Sequence, residues 1–171
     1  LRHSDVKTFV FAGVFIALTI LLTYVFSLQT PFVRISFGFL PVAVYATLFG
    51  PTRAALMAAA ADILGTALFM SGAYFPGFTG SALLSGLIYG YFLHGHELTW
   101  QRMALPFIGN FLLIDLGLNT FWLTLLYHQA AWTFVLTRFI KGAIFLPIHI
   151  LLFGMIWRPL SLLLPRWHLK G

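Results

Sequence analysis

The sequence predicts an all-α integral membrane protein of six transmembrane helices with both termini in the cytoplasm. Three observations lead there. The chain has 171 residues, 60% of them apolar and only 8% charged, against about 25% charged in a soluble domain, which leaves too little polar surface to face water. The apolar residues gather into six runs parted by short polar or Gly/Pro-rich connections. The basic residues sit mainly at the ends of those runs, where membrane proteins place them. The net charge of +6 therefore reads as membrane flanking rather than as a nucleic-acid patch, and no nucleic-acid partner is expected. There is no Cys, which excludes disulfides and thiol chemistry. A single transmembrane domain over residues 1–171 is expected, with no internal repeat and no low-complexity tract.

The first run, Lys7 to Leu28, has the roughly 20-residue length that a bilayer asks of a helix. It is too long for the apolar core of a signal peptide and ends without a small-residue cleavage site. Within it, Gly13 and Ala17 are four apart; such small pairs let helices approach closely in lipid, inside the protein or against another membrane protein. Ser27 to Val33 reads as a loop. The second run, Ile35 to Phe49, would be roughly 22 Å long as a helix, short for the bilayer core, with Pro41 near its start. The Gly50-Pro51 turn ends it.

The third run, Ala54 to Met70, carries Ala54, Ala55, Ala58, Ala59, Ala60 and Ala61, a small-residue face for close packing. Ser71 to Gly80, SGAYFPGFTG, reads as a loop by its Gly and Pro, one unusually rich in rings. The fourth run continues from near Gly77 to Leu93 and holds Gly86-x-x-x-Gly90, a second close-packing face. His94 to Met103 is a polar connection. The fifth run is Ala104 to Tyr127 and the sixth Thr133 to Trp157, with Pro147 inside it and a basic tail from Arg158 onward.

Six spans put both termini on one side. That side holds Arg2, Lys7, Arg53, Arg102, Arg158, Arg166 and Lys170, whereas the other holds Arg34, with Arg138 and Lys141 inside the sixth run. The excess marks the cytoplasmic side. The Arg34 stretch, the aromatic Tyr74–Thr79 loop and the Tyr127–Trp132 loop then face outward, as the rim of a vestibule.

Ionisable residues within membrane spans are functional candidates by default. Here they are Asp62, Asp115, Arg138 and Lys141. Counting along ideal helices puts Asn119 about 10 Å from the outer end of the fifth run, Asp115 a turn deeper, and Arg138 and Lys141 about 8 and 12 Å into the sixth. Asn119 and Trp122 share a helix face, as do Arg138 and Lys141. An amide, an indole and two cations at one depth suit a flat heteroaromatic ligand with an anionic tail, because an amide pairs with donor–acceptor edges and Arg grips carboxylates. The same residues also admit structural accounts: Asp115 paired with Lys141, Asp62 bonded to a neighbouring helix, Arg138 snorkelling to the interface, Trp122 in an interfacial belt. His94-x-His96 lacks the third ligand that a metal site needs, so no metal is expected. The absence of a G-x-x-x-x-G-K-[ST] loop excludes ATP-powered work by this chain in that way.

RISFGFLP (Arg34 to Pro41), ADILG (Ala61 to Gly65), AYFPGFT (Ala73 to Thr79), IYG (Ile88 to Gly90) and LNTFWL (Leu118 to Leu123) together resemble the S components of energy-coupling factor (ECF) vitamin transporters, most closely the folate-specific members, over essentially the whole chain. The resemblance implies a substrate-binding subunit of an ECF-type ABC transporter in the plasma membrane, with no catalytic residues and no cofactor. It captures a vitamin outside the cell and works with a transmembrane scaffold subunit and two ATPases. It also implies a site built from outer helix ends and loops. On this reading Asn119 and Trp122 take a pterin, with Tyr74, Phe75 and Phe78 of the loop that also holds Pro76, Gly77 and Thr79. Arg34 takes the glutamate, with Arg138 or Lys141, and Gly13 and Ala17 form the partner-helix contact. Two alternatives remain at this point: an S component for pantothenate or thiamine, and an intramembrane aspartyl enzyme on Asp62 and Asp115. A proton-coupled carrier is disfavoured by the missing repeat.

Overall fold

The computed structural model of the chain describes residues 3–29, 34–69, 75–96, 98–128 and 131–163. They form six helices and a two-stranded ribbon. Helix α1, His3–Ile20, runs on into a π turn, Leu21–Val25, closed by the Phe26 N–H on the Leu21 carbonyl at 3.0 Å. Strand β1, Leu28–Gln29, pairs antiparallel with β2, Arg34–Ile35, in the register Leu28↔Ile35 and Gln29↔Arg34. The sequence reads this stretch as loop and apolar run; two-residue strands carry no alternation to reveal them.

Helix α2, Phe39–Phe49, is only 11 residues long and is buried continuously from Pro41 to Thr47. A helix apolar all round belongs inside a bundle. At roughly 16 Å it covers about half of a bilayer core. Phe39 rather than Ile35 opens it, because Ile35 is taken up by the ribbon. The Gly50-Pro51 turn ends it as expected: Gly50 takes φ 95°, and Pro51 is the first residue of α3, Pro51–Phe69.

Helix α4, Pro76–Leu93, starts at a proline, the ring whose fixed φ and missing N–H suit a first helical turn. The aromatic loop of the sequence reading therefore ends at Phe75, and Gly77 to Gly80 are helical. The α3–α4 pair makes the most extensive contact in the protein. Its basis is the pair of small-residue faces seen in the sequence. A Cβ on Gly86 would lie 2.6 Å from the Ala54 carbonyl oxygen, and one on Gly90 would overlap the Pro51 backbone.

Helix α5, Trp100–Tyr127, is capped by Thr99, whose hydroxyl accepts the Arg102 N–H at 3.3 Å. It is α-helical over Trp100–Gly109, π over Asn110–Leu118 and α again over Asn119–Tyr127. Helix α6, Ala131–Leu163, runs through Pro147 and past the predicted end at Trp157. Helices α1, α3, α5 and α6 are each long and apolar enough to cross a membrane.

The core wraps the buried length of α2: Ala43, Tyr45 and Ala46 pack with Ala54, Met57 and Ala58 of α3, Tyr89 and Leu93 of α4, Met103 and Phe107 of α5, and Phe153 and Trp157 of α6. Because α2 begins only at Phe39, the half of the bundle beyond it lacks a central helix. That half is bounded by the ribbon, the start of α4, the end of α5 and the start of α6.

Candidate binding site at the ribbon end

Trp122 of α5 lies across the first turn of α4. A Cβ on Gly77 would meet its ring at 2.6 Å, so only glycine admits the indole here. One turn on, Ser81 accepts the indole N–H at 3.1 Å and is itself buried. Phe75 stands edge-on to Trp122 at 5.5 Å, and Phe78 edge-on to Phe75 at 5.9 Å. The result is one aromatic wall with fixed ring planes, built from residues of two helices. Trp122 is thus anchored inside the bundle rather than serving in an interfacial belt. The sequence reading misses Ser81, though Gly77-x-x-x-Ser81 is a small-residue pair of the kind that receives a large ring.

Beside this wall lies a polar cluster. The Arg138 guanidinium of α6 reaches across to Asp115 of α5, with Nη1 3.9 Å from the carboxylate and 3.4 Å from the backbone carbonyl. Arg138 is thus a close partner of Asp115, and Lys141 acts on the same carboxylate as well, so the Lys141 pairing that the sequence allows stands beside it. The π turn explains the geometry. Here the Asn119 N–H returns to Ile114, five residues back. The Asp115 carbonyl turns to side-chain donors, the Thr120 hydroxyl at 3.1 Å and Arg138. The Arg138 side chain is 17% accessible and points to α5, which sets snorkelling aside.

Helices α5 and α6 come this close because Gly142 faces Phe111: a Cβ there would overlap the ring. Gly142 is one turn from Arg138. Among the described residues, three buried side-chain polar atoms have no partner: Asn119 Oδ1, Arg138 Nε and Asn110 Oδ1. An unpaired polar atom in a membrane interior costs several kcal/mol on order of magnitude. Two of the three belong to this cluster, one an acceptor and one a donor.

The other predicted site residues divide. Arg34 lies on β2, across from Gln29; its side chain and all of Tyr74 lie outside the described residues. Pro76 starts α4, and Thr79 donates its hydroxyl to the Asp62 carboxylate of α3 at 2.7 Å. That bond satisfies Asp62 between helices. On α1, Gly13 and Ala17 are exposed, and nothing lies within 4 Å of a Cβ at Gly13. His94 is held within the fold, its Nδ1 2.9 Å from the Thr47 carbonyl oxygen.

Residues 3–161 match a family model described as the S component of an ECF-type riboflavin transporter. The chain belongs to the S-component family of ECF transporters. It is a multi-pass membrane transport subunit, and the aspartyl-enzyme alternative falls away. This S component is 38% identical to the folate transporter FolT of Clostridium novyi (strain NT), over 91% of this chain and 90% of that one. It is 35% identical to the folate transporter FolT of Leuconostoc mesenteroides subsp. mesenteroides, over 85% and 82%. Its fold matches a crystal structure of FolT bound with folic acid, with a TM-score of 0.84, 38% identity and coverage of 88% of this chain and 92% of that chain.

Proposed function

We propose that this S component captures folate at the outer face of a bacterial plasma membrane and passes it inward in company with a transmembrane scaffold subunit and two ATPases. The observation that supports this most is the likeness, at 38% identity and a TM-score of 0.84, to FolT bound with folic acid. The chemistry of the ribbon end agrees. A pterin is a flat ring edged with donors and acceptors, and the Phe75–Trp122 wall offers it a stacking surface while Asn119 Oδ1 accepts a hydrogen bond from its edge. The glutamate is a dianion. Arg138 offers it the Nε donor that has no protein partner, and Arg34 of the ribbon supplies a second cation. Phe78 extends the aromatic side, and Pro76 and Gly77 form the helix start that seats Trp122. Tyr74 is assigned to the pterin by sequence alone, Thr79 holds α4 against α3 through Asp62, and Lys141 balances Asp115.

The excess of cations at the other end of the molecule puts both termini in the cytoplasm, so the ribbon end faces outward. Gly13 and Ala17 provide a flat surface on α1 for a scaffold helix.

The family description favours one second reading, riboflavin. Its ring would use the aromatic wall, but it carries no carboxylate to occupy Arg34 and Arg138. Accumulation of radiolabelled folate in proteoliposomes tests the proposal. Uptake is expected when scaffold and ATPases are present with ATP on the cytoplasmic side, and not with this chain alone. Riboflavin uptake under the same conditions would replace folate.

A further inference from the structure

The π turn of α1 presents two consecutive side chains, Thr23 and Tyr24, to two glycines. A Cβ on Gly38, between β2 and α2, would overlap the Thr23 hydroxyl, and one on Gly65 of α3 would overlap the Tyr24 ring. Tyr24 then lies flat on Phe69, one turn along α3, with centroids 5.4 Å apart and planes within 4°. Its hydroxyl is 3.2 Å from that of Thr66. One helix therefore meets the ribbon end through a fitted ring, a hydrogen bond and two notches that exclude any side chain. Consecutive residues on an ordinary α-helix point about 100° apart. The π turn's wider winding brings both to bear on the bundle, and π turns occur often at functional places.

The location gives the contact its consequence. Tyr24 is four residues before β1, and α3 ends at Phe69. The ribbon that bears Arg34 springs from one side of this contact. The aromatic wall, through Phe75, continues from the other. The rest of α1 also rests on the bundle, through Phe15 on Tyr45 and Phe11 on Phe49, but only 11% of its span is buried, and this clasp is the contact with α3 that lies four residues from the ribbon.

We infer that Tyr24 is a positioning residue: seated on Gly65, Thr66 and Phe69, it sets the ribbon's distance from the aromatic wall and thereby the residence time of the ligand. The residence-time part rests on the folate reading above; the spacing part does not. Tyr24→Leu removes both stacking and hydrogen bond, and folate release from the purified protein becomes about tenfold faster; Tyr24→Phe, which keeps the ring, gives about threefold. Gly65→Ala speeds release about as much as Tyr24→Leu, because the ring must leave its notch. Added to Tyr24→Leu it costs less than about twofold more, since the two changes act on one contact.

The second readout needs no ligand. The chain has no Cys, so spin labels at Q29C on the ribbon and L126C near the end of α5 report their spacing by pulsed EPR. The expected result is a narrow distribution that Tyr24→Leu broadens in the ligand-free protein. A lowered thermal midpoint with an unchanged distance distribution and unchanged release rate would make Tyr24 a packing residue alone and overturn the inference. Loss of folate binding from the parent protein would overturn the folate reading, and the EPR result would still decide the clasp.

Discussion

The α3–α4 seam and the α5–α6 junction are both helix contacts made close by glycine, and they end in opposite states. In the seam, Gly86 and Gly90 lie against the backbone of Ala54 and Pro51, and Ala54, Ala55, Ala58 and Ala61 are all buried. Along these residues the contact is apolar and filled, and toward the start of α4 it adds the Thr79–Asp62 hydrogen bond. At the junction, Gly142 admits Phe111, but around that contact lie an ion pair, a π turn and two unpaired polar atoms. In lipid there is no hydrophobic drive between helices, so close packing supplies the stability. A fold held by such a seam can tolerate unsatisfied groups elsewhere, and on the proposed function a ligand completes them.

Five substitutions test this division. The largest effect is expected at Arg138. Arg138→Met should weaken folate binding by roughly 100-fold or more, since truncating a buried charge partner costs about 2–5 kcal/mol; titration calorimetry measures it, and unchanged affinity would remove Arg138 from the site. In the seam, Gly90→Ala should lower stability by about 1–3 kcal/mol through overpacking, read as a lower thermal midpoint, while the molecules that remain folded bind folate with the parent affinity. A change in affinity at equal foldedness would break the separation between seam and site.

Asn119→Ala sharpens it further. It removes the unpartnered Oδ1 together with the amide nitrogen that bonds the Asp115 carboxylate, so the thermal midpoint of the ligand-free protein should fall only slightly, by the order of one hydrogen bond or less. It should weaken folate binding by about 10-fold, the order of one hydrogen bond in a closed site. A large drop in the midpoint with unchanged folate affinity would make Asn119 a residue of the fold and remove it from the site. The smallest effect is expected for Thr79→Val with Asp62→Asn. Each single change should cost about 1 kcal/mol in stability, and the pair less than the sum, because the Thr79–Asp62 bond is shared; a thermal double-mutant cycle measures it.

Much of the fold is legible in the sequence, because a bilayer leaves few alternatives: apolar length gives the spans, Gly-Pro marks the α2–α3 turn, and the Ala and Gly-x-x-x-Gly faces pick out the pair that packs closest. The ribbon is not legible, since Leu28-Gln29 and Arg34-Ile35 are too short for a periodic signal. Nor are the π turns. Both faces of these helices are apolar, so a change of winding leaves no trace in the hydrophobic pattern. That loss hides how Asp115 is held: the π turn leaves its backbone carbonyl to the Thr120 hydroxyl and Arg138, contacts that an ideal helix would not suggest. The aromatic wall is half legible. Trp122 and Phe75 stand out as rings in unusual places, whereas the Gly77 and Ser81 seats become visible only when α4 is seen to begin at Pro76.

The most direct test of the central claim is calorimetric titration of the purified, folded chain with folate, and with riboflavin, thiamine and pantothenate in parallel. One-to-one tight binding of folate alone is the predicted result, since of the four only folate combines a flat pterin for the aromatic wall with a dianionic glutamate for the cations. Tight binding of riboflavin, thiamine or pantothenate with no heat from folate would contradict it, leaving the family and the fold in place and the substrate overturned.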